Sequence, residues 1–223
     1  SSDLARIESM AADVLSVAGL PDPVGQVYDS RTLANGLQIQ KRRVPLGVIA
    51  AIYESRPNVT VDISSLCLKA GNATLLRGGK EARRSNKALA TIIQDACRVE
   101  GVPDGAVQFI ESTDRTLVNE MLRMNGYIDL IIPRGRAELI RLVAENATMA
   151  VVTGGIGVCH AYVDKTADVE KAARIVDNAK VQRPTVCNAL DCVLVHREIA
   201  GEFLPRLAKT WVASGVEMRC DET

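Results

Sequence analysis

Cys187 stands in a run, VQRPTVCNALDCVLVH (181–196), whose first half does not suit a routine strand: Arg183, Pro184 and Thr185 precede the thiol and Asn188 follows it. The apolar stretch Cys192–His196 comes directly after. A thiol attacks carbon as its thiolate, and a nearby cation lowers a thiol pKa from about 8.5. Arg183 is such a cation four residues upstream, and Pro184 sets a turn. The same letters also fit one more small packing cysteine, so residue types leave both readings open. Three further stretches carry glycine beside polar groups: Arg77-Gly78-Gly79-Lys80, Pro133-Arg134-Gly135-Arg136 and Thr153-Gly154-Gly155-Ile156-Gly157. Glycine lets backbone N–H groups approach a ligand, and a helix N-terminus favours anions. Each stretch equally suits a plain turn with solvated charges, and Gly154–Gly157 suits a hinge. None is the G-x-G-x-x-G fingerprint or a Walker loop.

The elements around these stretches alternate. Ser1–Ala18 has helical spacing stopped at Gly19–Pro21, and Asn35-Gly36 reads as a hairpin turn. Strands are expected at Val48–Tyr53, Ala73–Arg77, Val107–Ile110, Ile128–Pro133, Met149–Thr153, Val158–Val163, Cys192–His196 and Val216–Cys220. Helices are expected at Val61–Ala70, Ala82–Glu100, about 114–124, 136–146, 167–180 and about 198–213. Continuous apolar strands alternating with amphipathic helices predict an α/β fold, a mostly parallel sheet covered on both faces. Ligands of such sheets bind at the carboxyl ends of the strands, where the glycine stretches fall.

Composition narrows the function classes. Apolar residues make up 47% of the 223, enough for a real core, and Lys+Arg balances Asp+Glu at 27 each. That balance argues against nucleic acid and acidic membrane partners. No apolar run approaches membrane-spanning length and no signal peptide opens the chain, so a soluble, cytoplasmic protein is expected. The six cysteines show no CxxC spacing, and no His-carboxylate cluster occurs, so reduced thiols and no metal are expected. Cys67, Cys97 and Cys159 sit in apolar stretches and read as inert packing residues. His160 and His196, at or within apolar runs, read as structural.

Taken together, RRVPLGVIAAIYESRPNVTVDISSLCLKAGNATLLRGGKEA, YIDLIIPRG, VVTGGIGVCHAYVD and QRPTVCNALDCVLVH resemble the gamma-glutamyl phosphate reductases, a branch of the aldehyde dehydrogenase superfamily. The blocks keep family order and spacing and look like the stand-alone bacterial form. The resemblance implies an aldehyde dehydrogenase-like fold: a doubly wound cofactor domain over 1–153, then the first part of an α/β catalytic domain over 154–223. It also implies a partial sequence, inactive and prone to associate by itself, within a homo-oligomer when complete. The implied reaction is NADPH-dependent reduction of L-glutamyl 5-phosphate to L-glutamate 5-semialdehyde and phosphate in proline biosynthesis, with glutamate 5-kinase as a functional associate.

By the same resemblance Cys187 is the nucleophile and Asn58 an oxyanion donor. Arg77, Gly78, Lys80, Pro133, Gly135, Arg136, Thr153 and Gly154 are implied to bind the cofactor, and Arg183 and Asn188 the substrate. Two cations, Arg77 and Lys80, where relatives place a lysine and a carboxylate, imply a 2′-phosphate and hence NADP. Val152 falls where hydrolytic members carry a water-activating glutamate. Other readings are another thiol-dependent acyl reductase or aldehyde dehydrogenase of the superfamily, and a non-catalytic nucleotide-binding or assembly module.

Overall fold

The computed structural model describes residues 2–154 and 157–221. The chain divides into two compact units, Ser1–Gly154 and Gly155–Thr223. The middle of the expected hinge, Gly155 and Ile156, lies outside the described residues.

The first unit opens with helix α1 (Ser2–Ala18) and an antiparallel hairpin, β1 (Val27–Thr32) and β2 (Gln38–Arg42). The hairpin turns at the expected Asn35-Gly36, where Gly36 takes φ +85°, a left-handed conformation that glycine enters without strain. A five-stranded parallel sheet follows, made of β3 (Val48–Tyr53), β4 (Ala73–Gly78), β5 (Val107–Phe109), β6 (Leu130–Arg134) and β7 (Ala150–Val151). Its spatial order is β5-β4-β3-β6-β7. The chain winds outward from β3 to β5, then returns to place β6 on the other side of β3, so the order reverses between β3 and β6.

β3 reads VIAAIY without a polar residue because both of its faces are covered. Alternate side chains point to opposite faces of a strand. Ala50 and Ile52 pack with Val118, Met121, Leu122, Ile131 and Val143, on the side of α4 (Thr116–Met121) and α5 (Ala137–Asn146). Ala51 and Tyr53 pack with Val59, Leu76 and Val107, on the side of α2 (Asn58–Lys69) and α3 (Arg83–Val99). The expected doubly covered parallel sheet is therefore present. Helix α2 starts three residues before the expected Val61, because Pro57 already holds φ at −60° and opens the helix.

The second unit pairs β8 (Cys159–Val163) in parallel with β9 (Leu190–Val195) and covers them with α6 (Val169–Val181) and α7 (Arg197–Ala213). Val163, Val176, Leu190, Phe203, Leu207 and Trp211 form its core. Asp168 caps α6 by accepting the Lys171 N–H at 2.9 Å, and His196 Nδ1 accepts the Glu198 N–H at 3.2 Å to open α7. His160 Nδ1 lies 2.7 Å from the Val158 carbonyl, so both histidines serve nearby backbone.

The expected strand at Val216–Cys220 does not form: among the described residues the only ladder of this unit joins β8 to β9. Val216 and Met218 still pack onto the core, which explains its apolar alternation. Among the described residues no helix is long and apolar enough to cross a membrane.

Candidate active site

The residues expected to do chemistry fall into two groups, one in each unit. In the first unit they lie at the carboxyl ends of β3, β4 and β6. The turn after β4 is bare backbone for a packing reason. A Cβ on Gly78 would run into the Asn86 amide and come within 3.2 Å of the Tyr53 ring. Asn86 is buried in a polar chain beneath that turn: Tyr53 Oη lies 2.7 Å from Thr60 Oγ1, which in turn donates to Asn86 Oδ1 at 3.4 Å. Asn86 Nδ2 is buried with no partner among the described residues. Burial pushes the Tyr53 phenol up from its ordinary pKa, against the opposing pull of the Thr60 bond.

Gly79 and Gly135 bracket Glu54, the first residue after β3. A Cβ on Gly79 would sit 3.4 Å from Glu54 Cα, and one on Gly135 would sit 2.7 Å from Glu54 Oε2. That same oxygen accepts the Arg136 N–H at 3.1 Å, ahead of α5. Glu54 thus ties the turn after β6 to the end of β3. Its importance was missed in the sequence, where a lone glutamate after a strand carries no distinguishing pattern.

Lys80 is exposed and opens a shallow cleft of about 670 Å³ lined also by Glu81, Arg83, Arg84, Lys87 and Glu111. Lys87 pairs with Glu111 at 2.8 Å. Four cations thus face two carboxylates, an arrangement that attracts an anion. The run KEARRSNK (80–87) was the available signal for this cleft, since α3 brings its first-turn cations beside Lys80.

Two of the residues expected to bind cofactor are buried. Arg77 does not reach outward: it is 8% exposed, and its Nη2 donates to the carbonyls of Thr113 at 3.0 Å and Asp114 at 3.3 Å. Burial, with Arg115 nearby, lowers its pKa. Its position in β4 points it across the sheet edge onto the loop before α4, so it braces that loop. Pro133 is fully buried inside β6, paired in register with Ile52. Gly135, Arg136, Thr153 and Gly154 are exposed at the same sheet edge. Asn58 is exposed at the start of α2 and commits one amide hydrogen to Asp62 at 2.9 Å.

In the second unit, residues 183–188 make two successive turns between α6 and β9. Val186 N–H donates to the Arg183 carbonyl at 3.3 Å, and Ala189 N–H to the Val186 carbonyl at 3.1 Å. Buried Ala189 and Leu190 anchor the far side, leaving Arg183, Cys187 and Asn188 exposed together. Neither the Cys187 nor the Asn188 backbone N–H has a partner among the described residues. Cys67 is the opposite case: it is 5% exposed, and burial raises its pKa, opposed by Thr74. Cys97 is raised by burial as well. Cys159 departs from the packing role expected of it, because its Sγ donates to the Cys187 carbonyl at 3.4 Å. An exposed thiol can attack an acyl carbon, and adjacent N–H groups with no partner among the described residues can stabilise the oxyanion that forms.

A doubly wound sheet with a reversal beside its first strand, and a separate unit presenting a thiol, are the parts of one enzyme class. The chain belongs to the aldehyde dehydrogenase family, whose pattern it matches over residues 7–222. Within that family it is 60% identical over 220 residues to a gamma-glutamyl phosphate reductase of Dehalococcoides mccartyi, covering 99% of this chain and 52% of that protein. It is 55% identical over 219 residues to the Salmonella newport protein of the same name, covering 98% and 53%. The crystal structure of gamma-glutamyl phosphate reductase from Thermotoga maritima superposes with a TM-score of 0.87 at 49% identity, over 96% of this chain and 51% of that one. The chain spans about half the length of the curated relatives it matches.

Proposed function

We propose that this chain supplies the cofactor-binding edge and the nucleophile of a reductase that converts L-glutamyl 5-phosphate to L-glutamate 5-semialdehyde and phosphate. The observation that carries the reading is the Cys187 turn: an exposed thiol with two backbone donors that have no partner among the described residues, in a chain of this kinship. The Cys187 thiolate attacks the acyl carbon, the carbon–oxygen bond to phosphate breaks, and phosphate leaves with the electron pair. The developing oxyanion is received by the Cys187 N–H. Asn58, which commits one amide hydrogen to Asp62, is a proposed oxyanion donor on the family resemblance alone. Arg183 and Asn188, both exposed on the same turn, would orient the substrate's charged groups.

The first unit's edge fits a nicotinamide dinucleotide phosphate. Gly79 and Gly135 leave backbone where a Cβ would crowd Glu54, and the cleft beside Lys80 holds an excess of cations. Lys80 would hold the 2′-phosphate, assisted by Arg83 and Arg84, while Gly78, Gly135, Arg136, Thr153 and Gly154 border the rest. When bound, the cofactor would supply the hydride that takes the thioester to the aldehyde level. Val152 is 52% exposed and carries no base, and by the resemblance it falls where hydrolytic members carry their water-activating glutamate. In the oxidative direction phosphate is then the required acyl acceptor. An acyl phosphate hydrolyses readily, so a kinase acting on the carboxylate must supply it close by. We further propose a homo-oligomeric, cytoplasmic enzyme.

The test is NADP reduction by the full-length protein with glutamate 5-semialdehyde, with and without phosphate. Strict phosphate dependence is expected. Brisk phosphate-independent turnover would sink the reading of Val152, and no turnover in either condition would sink the activity.

A further inference from the structure

The Cys187 carbonyl is held at close quarters by the entry of β8. Cys159 Sγ donates to it at 3.4 Å, and a Cβ on Gly157 would come within 3.0 Å of the same oxygen. Cys159 is itself seated by an irregularity in the ladder. The register runs from Cys159↔Leu190 to His160↔Cys192, which leaves Asp191 as an extra residue in β9. That bulge aims Asp191 Oδ2 at the Cys159 N–H, 3.1 Å away. Lys180 Nζ takes the Leu190 carbonyl at 2.9 Å on the other side of it. Bulges are rare in parallel pairs and are over-represented beside active sites, where they re-aim a side chain.

We propose that Cys159 is a positioning residue for the nucleophile, fixing through its S–H···O bond the peptide that follows Cys187. In a planar trans peptide the C=O and N–H point to opposite sides. Holding the Cys187 carbonyl toward Cys159 therefore turns the Asn188 N–H away from it, and sets the direction of the thiol on the same residue. A thiol is a weak donor, so the bond adds little to folding. Its leverage is on geometry, because a misplacement of about 1 Å at a reacting group can cost on the order of 100-fold in rate. The inference rests on Cys187 being the nucleophile.

The experiment compares Cys159→Ala and Cys159→Ser with the wild type in the full-length protein. It measures kcat, the KM for NADPH, melting temperature, and the rate of Cys187 alkylation by iodoacetamide, resolved by mass spectrometry. Cys159→Ala should lower kcat and Cys187 alkylation by about 10-fold while leaving KM for NADPH and the melting temperature unchanged. Cys159→Ser keeps a donor on the same Cβ and should recover most of both losses. Unchanged kcat and alkylation in Cys159→Ala would overturn the proposal. So would equal losses in both variants accompanied by a lower melting temperature, since those report packing. Cys187→Ser serves as the control: if it stays active, the nucleophile assignment fails and this inference with it. If it is dead while Cys159→Ala is indifferent, the inference alone fails.

Discussion

The sheet edge of the first unit and the thiol turn of the second are both expected to meet ligand, yet they are held by different means. Below the β4 turn lie buried Asn86, Thr60 and Tyr53, and buried Arg77 ties down the neighbouring loop through two carbonyls. The Cys187 turn has almost no buried side chain of its own. It is anchored at Ala189–Leu190 and pinned through one carbonyl by Cys159. A binding surface made of backbone can be rigidified from behind by packing, because its ligand touches only the front. A nucleophile must stay exposed, and burial would push its thiol pKa up as it does for Cys67. It can be fixed only through its main chain.

The largest effect that would break this contrast is on the thiol. Cys187→Ser should lower reductase turnover by on the order of 10³-fold or more, since a serine hydroxyl is almost un-ionised at neutral pH. NADPH binding, measured by fluorescence titration, should be retained. Near-normal turnover would remove the covalent route.

Next in size is the core behind the turn. Phe203 is fully buried, and Phe203→Ala should cost about 3–5 kcal/mol by emptying that space. The single tryptophan, Trp211, lies in the same core and reports the loss by fluorescence during urea unfolding. A cost below about 1 kcal/mol would mean that this unit relies on its core less than its burial implies.

A smaller change sharpens the reading of the first unit. Lys80→Gln should weaken NADPH by about 1.5–3 kcal/mol while leaving NADH nearly unchanged, because a charge-assisted bond to the 2′-phosphate is lost. Equal losses for the two cofactors would show that Lys80 does not read the phosphate.

The smallest effect concerns the polar chain under the β4 turn. The raised pKa of Tyr53 means that the fold prefers the neutral phenol. Its contribution is fully present below the unfolded value of about 10 and is lost as pH rises through the folded value. Tyr53→Phe should cost about 1 kcal/mol at neutral pH through the lost Thr60 bond, and should flatten the decline in stability above about pH 10. An unchanged alkaline slope would assign that decline to other groups, Cys67 among them.

Much of the frame was legible in local pattern. VIAAIY has no polar position and so must be covered on both faces, and Asn35-Gly36 between apolar flanks is a turn by its chemistry. The Cys187 turn was legible too, because Pro184 and the polar neighbours exclude a strand. The inward aim of Arg77 was not, since an arginine near a strand end looks the same whether it meets solvent or a loop carbonyl thirty-six residues further on. Val216–Cys220 has the alternation of a strand, but it serves packing of Val216 and Met218 on the core and not a ladder among the described residues.

By itself the sequence determined most of the strands and helices, though not the fate of Val216–Cys220, together with the parallel two-faced sheet and the placing of glycines and a thiol at strand ends. Those properties follow from periodicity, turn chemistry and apolar runs, which act over a few residues. Only the tertiary structure decided that Arg77 and Pro133 are buried, that Glu54 ties the turn after β6 to β3, that the α3 cations line a cleft with Lys80, and that Cys159 grips the Cys187 carbonyl. Each of these depends on a contact between residues distant in the chain. Such contacts depend on register, and the one-residue bulge at Asp191 is what aims that side chain at the Cys159 N–H.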